Sequence, residues 1–484
     1  MAKDFVVMAQ NLFSRRRQTK RKQKNKRHNS EFFDEGLDFS SLRTCEITRL
    51  SHEGRGIASF NGKTQFVEGA LIGETIKAKL INSHNTYDEL QAVEILSLSP
   101  DRIQPFCKHF DLCGGCSLQN MSSDAQLLHK ENVLKEQLSH FGQIQAKNWL
   151  KPIIFESQSY RNKARLGVYF DSSLNKIVFG FREKHSKRLT DIDVCPVLHQ
   201  SIERLLKPLR VLVESMENPK AISHIELAAS DSEQAVVIRH VSEFSEIDKQ
   251  GLFSFSKTEN VRVFIQAKAD KPAQEIEPKS TELEYTLNIS ALTGSEDQRI
   301  VAKSIKLAFH PQDFTQVNSK VNQDLVSLAL EQLQLKSNDK VLDLFCGLGN
   351  FTLPIAMNCS EVVGIEGVNS MVLRASENAD RNNISNAHFY AADLQADFRT
   401  KVWAKQSFDK ILIDPPRSGA LVAVNYLHHF NAERIVYISC NPATLARDAG
   451  VLSTHGYRLD TSGVIDMFPN TAHVESIAVF VRQA

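Results

Sequence analysis

Apolar and polar residues follow β-type spacing in the amino-terminal part of the chain. Between Leu42 and about Ser99, turn residues break the chain into short runs, and Asn61-Gly62 between two strand-like flanks predicts a hairpin. Five such runs occur here: TCEITRL, GIASF, TQFVEG, TIKAKLI and LQAVEIL. This spacing predicts a small β-barrel of the oligonucleotide-binding (OB) type.

The middle of the chain mixes helical and β-type spacing. In SSDAQLLHKENVLKEQL, residues Leu127, Leu134 and Leu138 lie near helical spacing behind a Ser/Asp cap. Strand-like alternation follows in KARLGVYF, HIELAASD, QAVVIRHV and VRVFIQA. We therefore expect a central α+β domain that extends to about residue 300.

From about Leu307 onward, strand-like runs alternate with helical segments. The strand-like runs are KVLDLFCG, EVVGIEG, AHFYAAD, FDKILIDPP, RIVYISCN and HVESIAVFVR. The intervening segments, such as SMVLRASENADRNN, are long enough for crossover helices. This alternation predicts a Rossmann-like, doubly wound and mostly parallel sheet.

Length and composition limit the class of protein. A chain of 484 residues exceeds one typical domain, and its 42% hydrophobic and 24% charged residues are close to a globular average. No apolar run reaches the roughly 20 residues that span a bilayer, and MAKDFVVMAQNLF does not resemble a secretory signal. We expect a cytoplasmic protein with no membrane partner.

The net charge of +1 conceals a basic arm. Arg15 to Arg27 holds nine of the 58 basic residues and no acidic one, which leaves 49 basic against 57 acidic residues elsewhere. A block of like charge does not fold alone and commonly binds nucleic acid, although a solubilising tail has the same composition. A second basic pattern places Arg161, Lys163 and Arg165 on one face of a strand, where they could follow phosphates or simply face solvent.

The segment KVLDLFCGLGNFTLPIA predicts a nucleoside site. Gly347 and Gly349 allow close approach of the backbone to a ligand, and Glu366 lies 19 residues after Gly347, where a carboxylate can bind a ribose diol. Thr352 occupies the place of the third glycine of the dinucleotide fingerprint. S-adenosylmethionine therefore fits better than NAD, and Asp393 after the third strand supports this choice.

Two further strands end in residues that could bind a ligand or take part in a reaction. Asp414 ends an apolar strand in ILIDPPRSG, at the edge where open α/β sheets bind ligands. Cys440 ends the next strand in IVYISCNPATLARD, where a thiolate could attack an electrophilic ring carbon. The residues alone do not distinguish this nucleophile from a buried, inert cysteine.

Four of the eight cysteines have metal-ligand spacing. Cys107, Cys113 and Cys116 lie in CKHFDLCGGC, and Cys195 precedes Pro196. Three thiols in one loop and one distant thiol would complete a four-thiolate site. Such a site suits either zinc or an iron–sulfur cluster.

LDLFCGLGNFTLP, ILIDPPR, ISCNPATLARD and DMFPNTAHVES resemble, in order and spacing, the RNA uracil-C5 methyltransferases. The resemblance spans roughly residues 40 to 484, and the amino-terminal barrel looks like a TRAM domain. It implies that Cys440 adds to C6 of uracil and that Glu475 removes the C5 proton. His473, two residues before Glu475, is a competing candidate for the base. It also implies that the target uridine is flipped out of the RNA.

The resemblance further implies which residues bind cofactors. The S-adenosylmethionine shell would comprise Gln316, Phe345, Asn350, Glu366, Asp393 and Asp414, the last of which could contact uracil instead. The four cysteines would hold a [4Fe–4S] cluster, with zinc as the alternative. The barrel and the cysteine set together indicate 23S ribosomal RNA as substrate.

We therefore predict a basic arm at 1–37, a TRAM barrel at 38–99, a central iron–sulfur domain at 100–300 and a methyltransferase domain at 301–484. The protein is expected to be a monomer with no obligate protein partner. Methylation of tRNA, a non-catalytic ribosome-assembly factor and an NAD-linked oxidoreductase are the alternatives.

Overall fold

A computed structural model describes residues 42–173, 175–267, 271–289, 293–294, 298–299 and 303–483. The predicted basic arm lies outside the described residues. No helix in these ranges is long and apolar enough to cross a membrane. Residues 44–484 form one compact unit, and the division into three domains stays a prediction.

The amino-terminal region is β-rich. Its strands are β1 (Arg43–Glu46), β2 (Arg49–Leu50), β3 (Gly56–Phe60), β4 (Lys63–Glu68), β5 (Thr75–Ser83) and β6 (Tyr87–Ser97). They form one sheet of order β1-β5-β6-β4-β3-β2. The sheet has six strands, and not the five predicted, because the TCEITRL run is divided into β1 and β2. Asn61 and Gly62 both have positive φ angles, as the predicted tight hairpin turn requires.

The predicted helix is present as α1 (Ser123–His140), and a short strand, β7 (Asn148–Trp149), follows it. The Ser122 hydroxyl accepts a hydrogen bond from the backbone N–H of Ala125 at 3.4 Å, which caps the helix. Leu134 and Leu138 are buried in the hydrophobic core of the carboxyl-terminal sheet. Helix α1 therefore packs on that sheet, although it lies within the range predicted for the central domain.

The central region is a six-stranded sheet covered by helices on one face. Its strands are β8 (Lys163–Asp171), β9 (Lys176–Gly180), β10 (Ile222–Ala229), β11 (Gln234–His240), β12 (Arg262–Gln266) and β13 (Gln274–Glu275). Their order is β13-β12-β11-β10-β8-β9. The helices are α2 (Gln200–Glu203), α3 (Leu206–Ser215) and α4 (Glu246–Glu259). Leu166, Ile225 and Val236 share a buried core with Leu209 of α3.

Two small sheets connect this region to the last one. Strands β14 (Leu283–Ile289) and β17 (Lys303–Phe309) form an antiparallel pair, and β15 (Thr293–Gly294) pairs with β16 (Gln298–Arg299). Leu287 and Leu307 from the longer pair pack in the same core as Leu325 and Val341.

The carboxyl-terminal region contains an eight-stranded sheet of order β20-β19-β18-β21-β22-β24-β23-β7. Its strands after β17 are β18 (Lys340–Leu344), β19 (Glu361–Glu366), β20 (Ala387–Ala391), β21 (Lys410–Ile413), β22 (Arg434–Ser439), β23 (Tyr457–Ile465) and β24 (Glu475–Arg482). Its helices are α5 (Ser319–Leu333), α6 (Thr352–Ala356), α7 (Asn369–Arg381), α8 (Leu421–Val424) and α9 (Pro442–Thr454). Strands β18 to β22 are parallel, whereas β24 runs antiparallel to β22 and β23.

The predicted doubly wound sheet is therefore present, with β23 and β7 as additional strands. The central strands are mostly apolar, and all four residues of β21 are buried. Parallel strands covered by helices on both faces have this composition. Because β18, β19, β21 and β22 point the same way, the residues that follow them meet at one edge of the sheet.

Candidate active site at the carboxyl edge of the sheet

A cavity of about 1190 Å³ lies at this edge. Its volume exceeds the roughly 300–1,000 Å³ of a typical small-molecule pocket, so it has room for two reactants. Seven of the predicted site residues line it: Gln316, Phe345, Asn350, Glu366, Asp414, Cys440 and Glu475. Asp393 does not line it; the residue is exposed just after β20, and its Oδ1 accepts a hydrogen bond from the N–H of Gln395 at 2.8 Å.

The turn after β18 places backbone groups against the cavity. Phe345 and Gly347 have φ angles of 64° and 56°, which turn the chain sharply between the strand and α6. The Glu366 carboxylate fixes this turn from the end of β19. It accepts hydrogen bonds from the N–H of Gly347 at 3.2 Å and of Val368 at 3.0 Å. A carboxylate held this way is preorganised for a ligand hydroxyl pair.

Asn350 is oriented by two residues from other elements. Its Oδ1 accepts hydrogen bonds from the Asn322 side chain at 2.9 Å and the Tyr285 hydroxyl at 3.1 Å. Its Nδ2 donates to Oδ1 of Asn322 at 3.0 Å. Tyr285 lies on β14 and Asn322 on α5, so the hairpin and the helix together set the direction of the Asn350 amide. Sequence reasoning missed both residues, since neither lies in a recognisable motif.

Strands β22 and β24 bring Cys440 and Glu475 to the same place. Ser439 is paired with Ser476 in the antiparallel ladder. Cys440 directly follows β22, and Glu475 precedes Ser476 as the first residue of β24, so the two lie opposite each other where the ladder ends. The Asn441 side chain then caps α9 by accepting from the N–H of Ala443 at 3.1 Å.

Acidic groups interact strongly around Cys440. Burial, with contributions from Glu475 and Asp414, raises the pKa of the Cys440 thiol to about 11. Burial, assisted by Asp414, raises the pKa of Glu475 well above its ordinary value, and burial raises the pKa of Asp414 to about 7. Like charges in a shared, dehydrated site cannot all ionise, so in the free site Cys440 and Glu475 keep their protons at neutral pH, whereas Asp414 is partly ionised.

Arg417 supplies positive charge to this group of acids. Its guanidinium opposes the rise in the pKa of both Cys440 and Glu475. Its backbone oxygen accepts a hydrogen bond from Nδ2 of Asn441 at 3.0 Å, which joins the turns after β21 and β22. Arg417 belongs to the DPPR motif, but the sequence did not indicate that its side chain would face Cys440.

His473 also lines the cavity, on the loop before β24. Burial and the neighbouring cations Arg417, Lys130 and Arg161 lower its pKa to about 4. The imidazole is therefore neutral at pH 7. A base with so low a pKa has little driving force for removing a proton from carbon.

The cysteine cluster lies apart from this cavity. Burial, with smaller contributions from the thiols of Cys116, Cys107 and Cys113, raises the pKa of Cys195 to about 12. The four predicted thiols thus lie near enough to interact electrostatically, and all four are free. Within the described ranges, however, no group of three or more His, Cys, Asp or Glu side chains has metal-binding geometry.

The basic strand predicted to follow phosphates is only partly exposed. Lys163 is turned inward, where its ammonium donates to the backbone oxygen of Asp313. Burial lowers the pKa of Lys163 to about 8. Arg165 is exposed and lies 3.5 Å from the Glu226 carboxylate.

The architecture of the sheet, with a ligand-sized cavity at its carboxyl edge, defines a doubly wound α/β protein with a Rossmann-like fold. Comparison with a solved structure agrees with this fold. The crystal structure of Pyrococcus abyssi tRNA (uracil-54, C5)-methyltransferase in complex with S-adenosyl-L-homocysteine covers 91% of this chain and 100% of its own. The two share a TM-score of 0.67 at 23% identity, which establishes a common fold.

Sequence comparison narrows the class. The sequence model described as tRNA (Uracil-5-)-methyltransferase matches residues 122–483, and the chain belongs to this family. Over 445 residues it is 46% identical to the 23S rRNA (uracil(1939)-C(5))-methyltransferase RlmD of Hahella chejuensis, covering 91% of this chain and 97% of the relative. The RlmD protein of Francisella tularensis subsp. holarctica is 43% identical over 448 residues, 90% of this chain and 96% of its own. The resemblance deduced from the motifs is thereby confirmed.

Proposed function

We propose that this protein transfers a methyl group from S-adenosylmethionine to C5 of a uridine in 23S ribosomal RNA. The observation that carries the proposal is the placement of Cys440 and Glu475 opposite each other at the end of the β22–β24 ladder, facing the cavity. Relatives described as 23S rRNA uracil-C5 methyltransferases, which match nearly their whole length, support the choice of RNA.

The residues on one side of the cavity fit S-adenosylmethionine. Glu366 would accept hydrogen bonds from the ribose hydroxyls, while Gln316, Phe345 and Asn350 would hold the rest of the molecule. When bound, the cofactor supplies an electrophilic methyl group. Asp414, between these residues and Cys440, is placed to contact either the cofactor or the uracil. Asp393, although outside the cavity wall, follows β20 at the same edge of the sheet.

Cys440 would act as the nucleophile. Loss of the thiol proton to water and bonding of Sγ to C6 of uracil would shift the C5–C6 electron pair, so that C5 becomes a carbon nucleophile. C5 would then take the methyl group as the bond from that group to the cofactor sulfur breaks, with the electron pair of the bond left on the sulfur. Glu475 then removes the remaining proton from C5. The electrons of that C–H bond restore the C5–C6 double bond, and the Sγ–C6 bond breaks to release Cys440.

Glu475 is a better base for this step than His473. The raised pKa of Glu475 makes its carboxylate, once ionised, a strong proton acceptor, whereas the pKa of His473 is lowered to about 4. Glu475 is also buried beside the nucleophile, with 4% of its surface exposed. The target base reaches these groups only after it is rotated out of the RNA stack, because C5 and C6 must both face the protein.

The proposal is tested by mapping 5-methyluridine in 23S rRNA by mass spectrometry. Cells that lack the gene would be compared with cells complemented by the natural protein or by Cys440→Ala. Loss of one methylated uridine, restored only by the natural protein, supports the proposal. If every 23S site persists and a tRNA position loses its methyl group, the substrate is tRNA instead.

We also infer that Cys107, Cys113, Cys116 and Cys195 hold a [4Fe–4S] cluster. The composition of the donor set supports this, because four free thiols that interact with one another fit either such a cluster or zinc. The cluster would organise the loop rather than take part in the reaction, since methyl transfer needs no electron transfer. We likewise assign residues 38–99 to a TRAM barrel, 100–300 to the central domain and 301–484 to the methyltransferase domain.

Replacing Cys113 by serine is expected to abolish cluster binding. Protein purified without oxygen should contain about four irons per chain and absorb visible light, and the variant should lose both signals. The matched control is Cys359→Ser, at a half-buried cysteine outside the proposed cluster. If the natural protein contains one zinc per chain and does not absorb visible light, the four cysteines bind zinc and not an iron–sulfur cluster.

Replacing Glu366 by alanine is expected to weaken S-adenosylmethionine binding by roughly 10- to 100-fold, since a hydrogen bond to a charged group contributes about 1.5–3 kcal/mol. Isothermal titration with the cofactor, without RNA, measures the effect. Glu361→Ala, at the opposite end of β19, is the control. An unchanged dissociation constant in the Glu366 variant would exclude the proposed ribose contact.

A further inference from the structure

The loop between β23 and β24 leads directly into Glu475. Residues 466–474 form this loop, and Phe468 and His473 within it line the cavity. On its other side, the loop contacts a segment more than 300 positions earlier in the chain. That segment, residues 117–130, begins directly after Cys116 and includes the start of α1. We call it the clamp segment.

Gln126 makes the central contact. Its Oε1 accepts a hydrogen bond from the N–H of Asn470 at 2.9 Å. Its Nε2 donates to the backbone oxygens of Leu118 and Met121, each at 2.9 Å. All three bonds are satisfied only with the amide in this orientation, so the clamp segment itself fixes the direction in which Oε1 points. Gln126 is 3% exposed, which shields these bonds from water.

Asn470 is held through its backbone and its side-chain Nδ2. Its backbone oxygen accepts hydrogen bonds from the N–H groups of Ser117 and Leu118, both at 3.0 Å. Its Nδ2 donates to the backbone oxygen of Ser157 at 2.7 Å. The residue has a φ angle of 65°, a left-handed conformation that asparagine adopts more readily than most residues. The tip of the loop is therefore fixed in an unusual backbone conformation by external partners.

Further contacts hold the rest of the loop. The Ser117 hydroxyl accepts a hydrogen bond from the N–H of Ala472 at 3.0 Å, one residue before His473. The Lys130 ammonium, fully buried, donates to Asp466 Oδ1 at 2.6 Å and to the backbone oxygen of Phe468 at 3.0 Å. The loop is thus anchored at its beginning, its middle and the residues just before Glu475.

We propose that Gln126 is a positioning residue for proton removal: through Asn470 it fixes the loop that sets the place of Glu475 relative to the uracil C5 proton. The inference rests on the role proposed for Glu475. Cys440 is positioned separately, by Asn441 and its hydrogen bond to the Arg417 backbone. Loss of the clamp should therefore slow the step that needs Glu475 more than the addition of Cys440.

The test compares Gln126→Leu with the control Gln137→Leu. Both glutamines lie on α1, and the Oε1 atom of Gln137 is buried without a hydrogen-bond partner in the described structure. For Gln126→Leu we expect kcat to fall by roughly 10- to 100-fold, the size of effect expected from a small misplacement of a reacting group. The KM values for RNA and S-adenosylmethionine should change little. A methylated RNA–protein adduct that survives SDS should accumulate, because release of Cys440 waits for proton removal.

Gln126→Glu keeps an acceptor for the Asn470 N–H but sets its second oxygen against the backbone oxygens of Leu118 and Met121, so it should lose activity as Gln126→Leu does. Thermal unfolding and cofactor titration establish that each variant is folded. If Gln126→Leu does not fold, Ser117→Ala, which removes only the bond to Ala472, should show the same adduct at a smaller loss of kcat.

The inference is overturned if folded Gln126→Leu or Ser117→Ala turns over like the control, or if activity falls without adduct. Glu475→Gln separates this failure from failure of the proposed function. If Glu475→Gln accumulates the adduct and the clamp variants do not, the clamp is wrong and the role of Glu475 stands. If Glu475→Gln itself turns over normally, the role of Glu475 is wrong.

Discussion

Replacing Cys440 by alanine is expected to lower methyl transfer to RNA by at least about 10⁴-fold, since removal of a catalytic nucleophile in a well-studied protease costs about 10⁶-fold. Alanine cannot form the bond to C6, and without that bond C5 of uracil is a poor nucleophile. Transfer of a radiolabelled methyl group to a 23S rRNA fragment, under single-turnover conditions, measures the loss. The variant should still bind S-adenosylmethionine and the RNA.

Cys359→Ala is the matched control for this experiment. Cys359 is half-buried and lies away from the cavity, and its thiol contacts the backbone oxygen of Glu361 at 3.4 Å. The control should methylate RNA at the natural rate. Comparable activity of Cys440→Ala and Cys359→Ala would exclude the covalent mechanism and leave Cys440 as a packing residue.

The positions of Glu366, Asp414 and Cys440 could be predicted because parallel strands share a direction. Each residue follows an apolar strand, so a sequence that reveals the strands also reveals which residues meet at the carboxyl edge. Asp393 follows the same rule but lies outside the cavity wall. The direction of a side chain beyond the end of a strand depends on the following turn, which periodicity does not describe.

The pairing of Glu475 with Cys440 could not be predicted from periodicity. It depends on β24 entering the sheet antiparallel between β22 and β23, and the strand-like pattern of YRLDTSGVI was not recognised as β23. Only the resemblance to a family identified Glu475. The contact between Gln126 and Asn470 is even harder to predict from the sequence, because it joins residues 344 positions apart that belong to no common pattern.

Ionisation of the acidic groups in the cavity depends on the charges around them, which the residue types alone do not reveal. Glu475 and Asp414 disfavour ionisation of Cys440, Asp414 also disfavours ionisation of Glu475, and Arg417 is a cation that partly compensates. A free site with its protons in place is poorly reactive. We expect the sulfonium charge of bound S-adenosylmethionine to favour ionisation of these groups, since a nearby opposite charge stabilises the charged form.

Replacing Glu475 by glutamine is expected to lower turnover by roughly 10²- to 10⁴-fold, the contribution typical of a positioned general base. Glutamine keeps the size of the side chain in a buried position but cannot accept the C5 proton. Addition of Cys440 and methyl transfer precede that step, so both should still occur. The enzyme should therefore be trapped as a covalent adduct that contains the methyl group and survives SDS.

His473→Asn is the variant that decides between the two candidate bases. Denaturing electrophoresis with labelled RNA, followed by mass spectrometry of the cross-linked peptide, would detect methylated nucleotide on Cys440. Adduct in Glu475→Gln and turnover in His473→Asn assign the base to Glu475, and the reverse result assigns it to His473. Burial and nearby cations lower the pKa of His473, which makes it a weaker base. Burial beside another acid raises the pKa of Glu475, so the same dehydrated site makes that residue a stronger base.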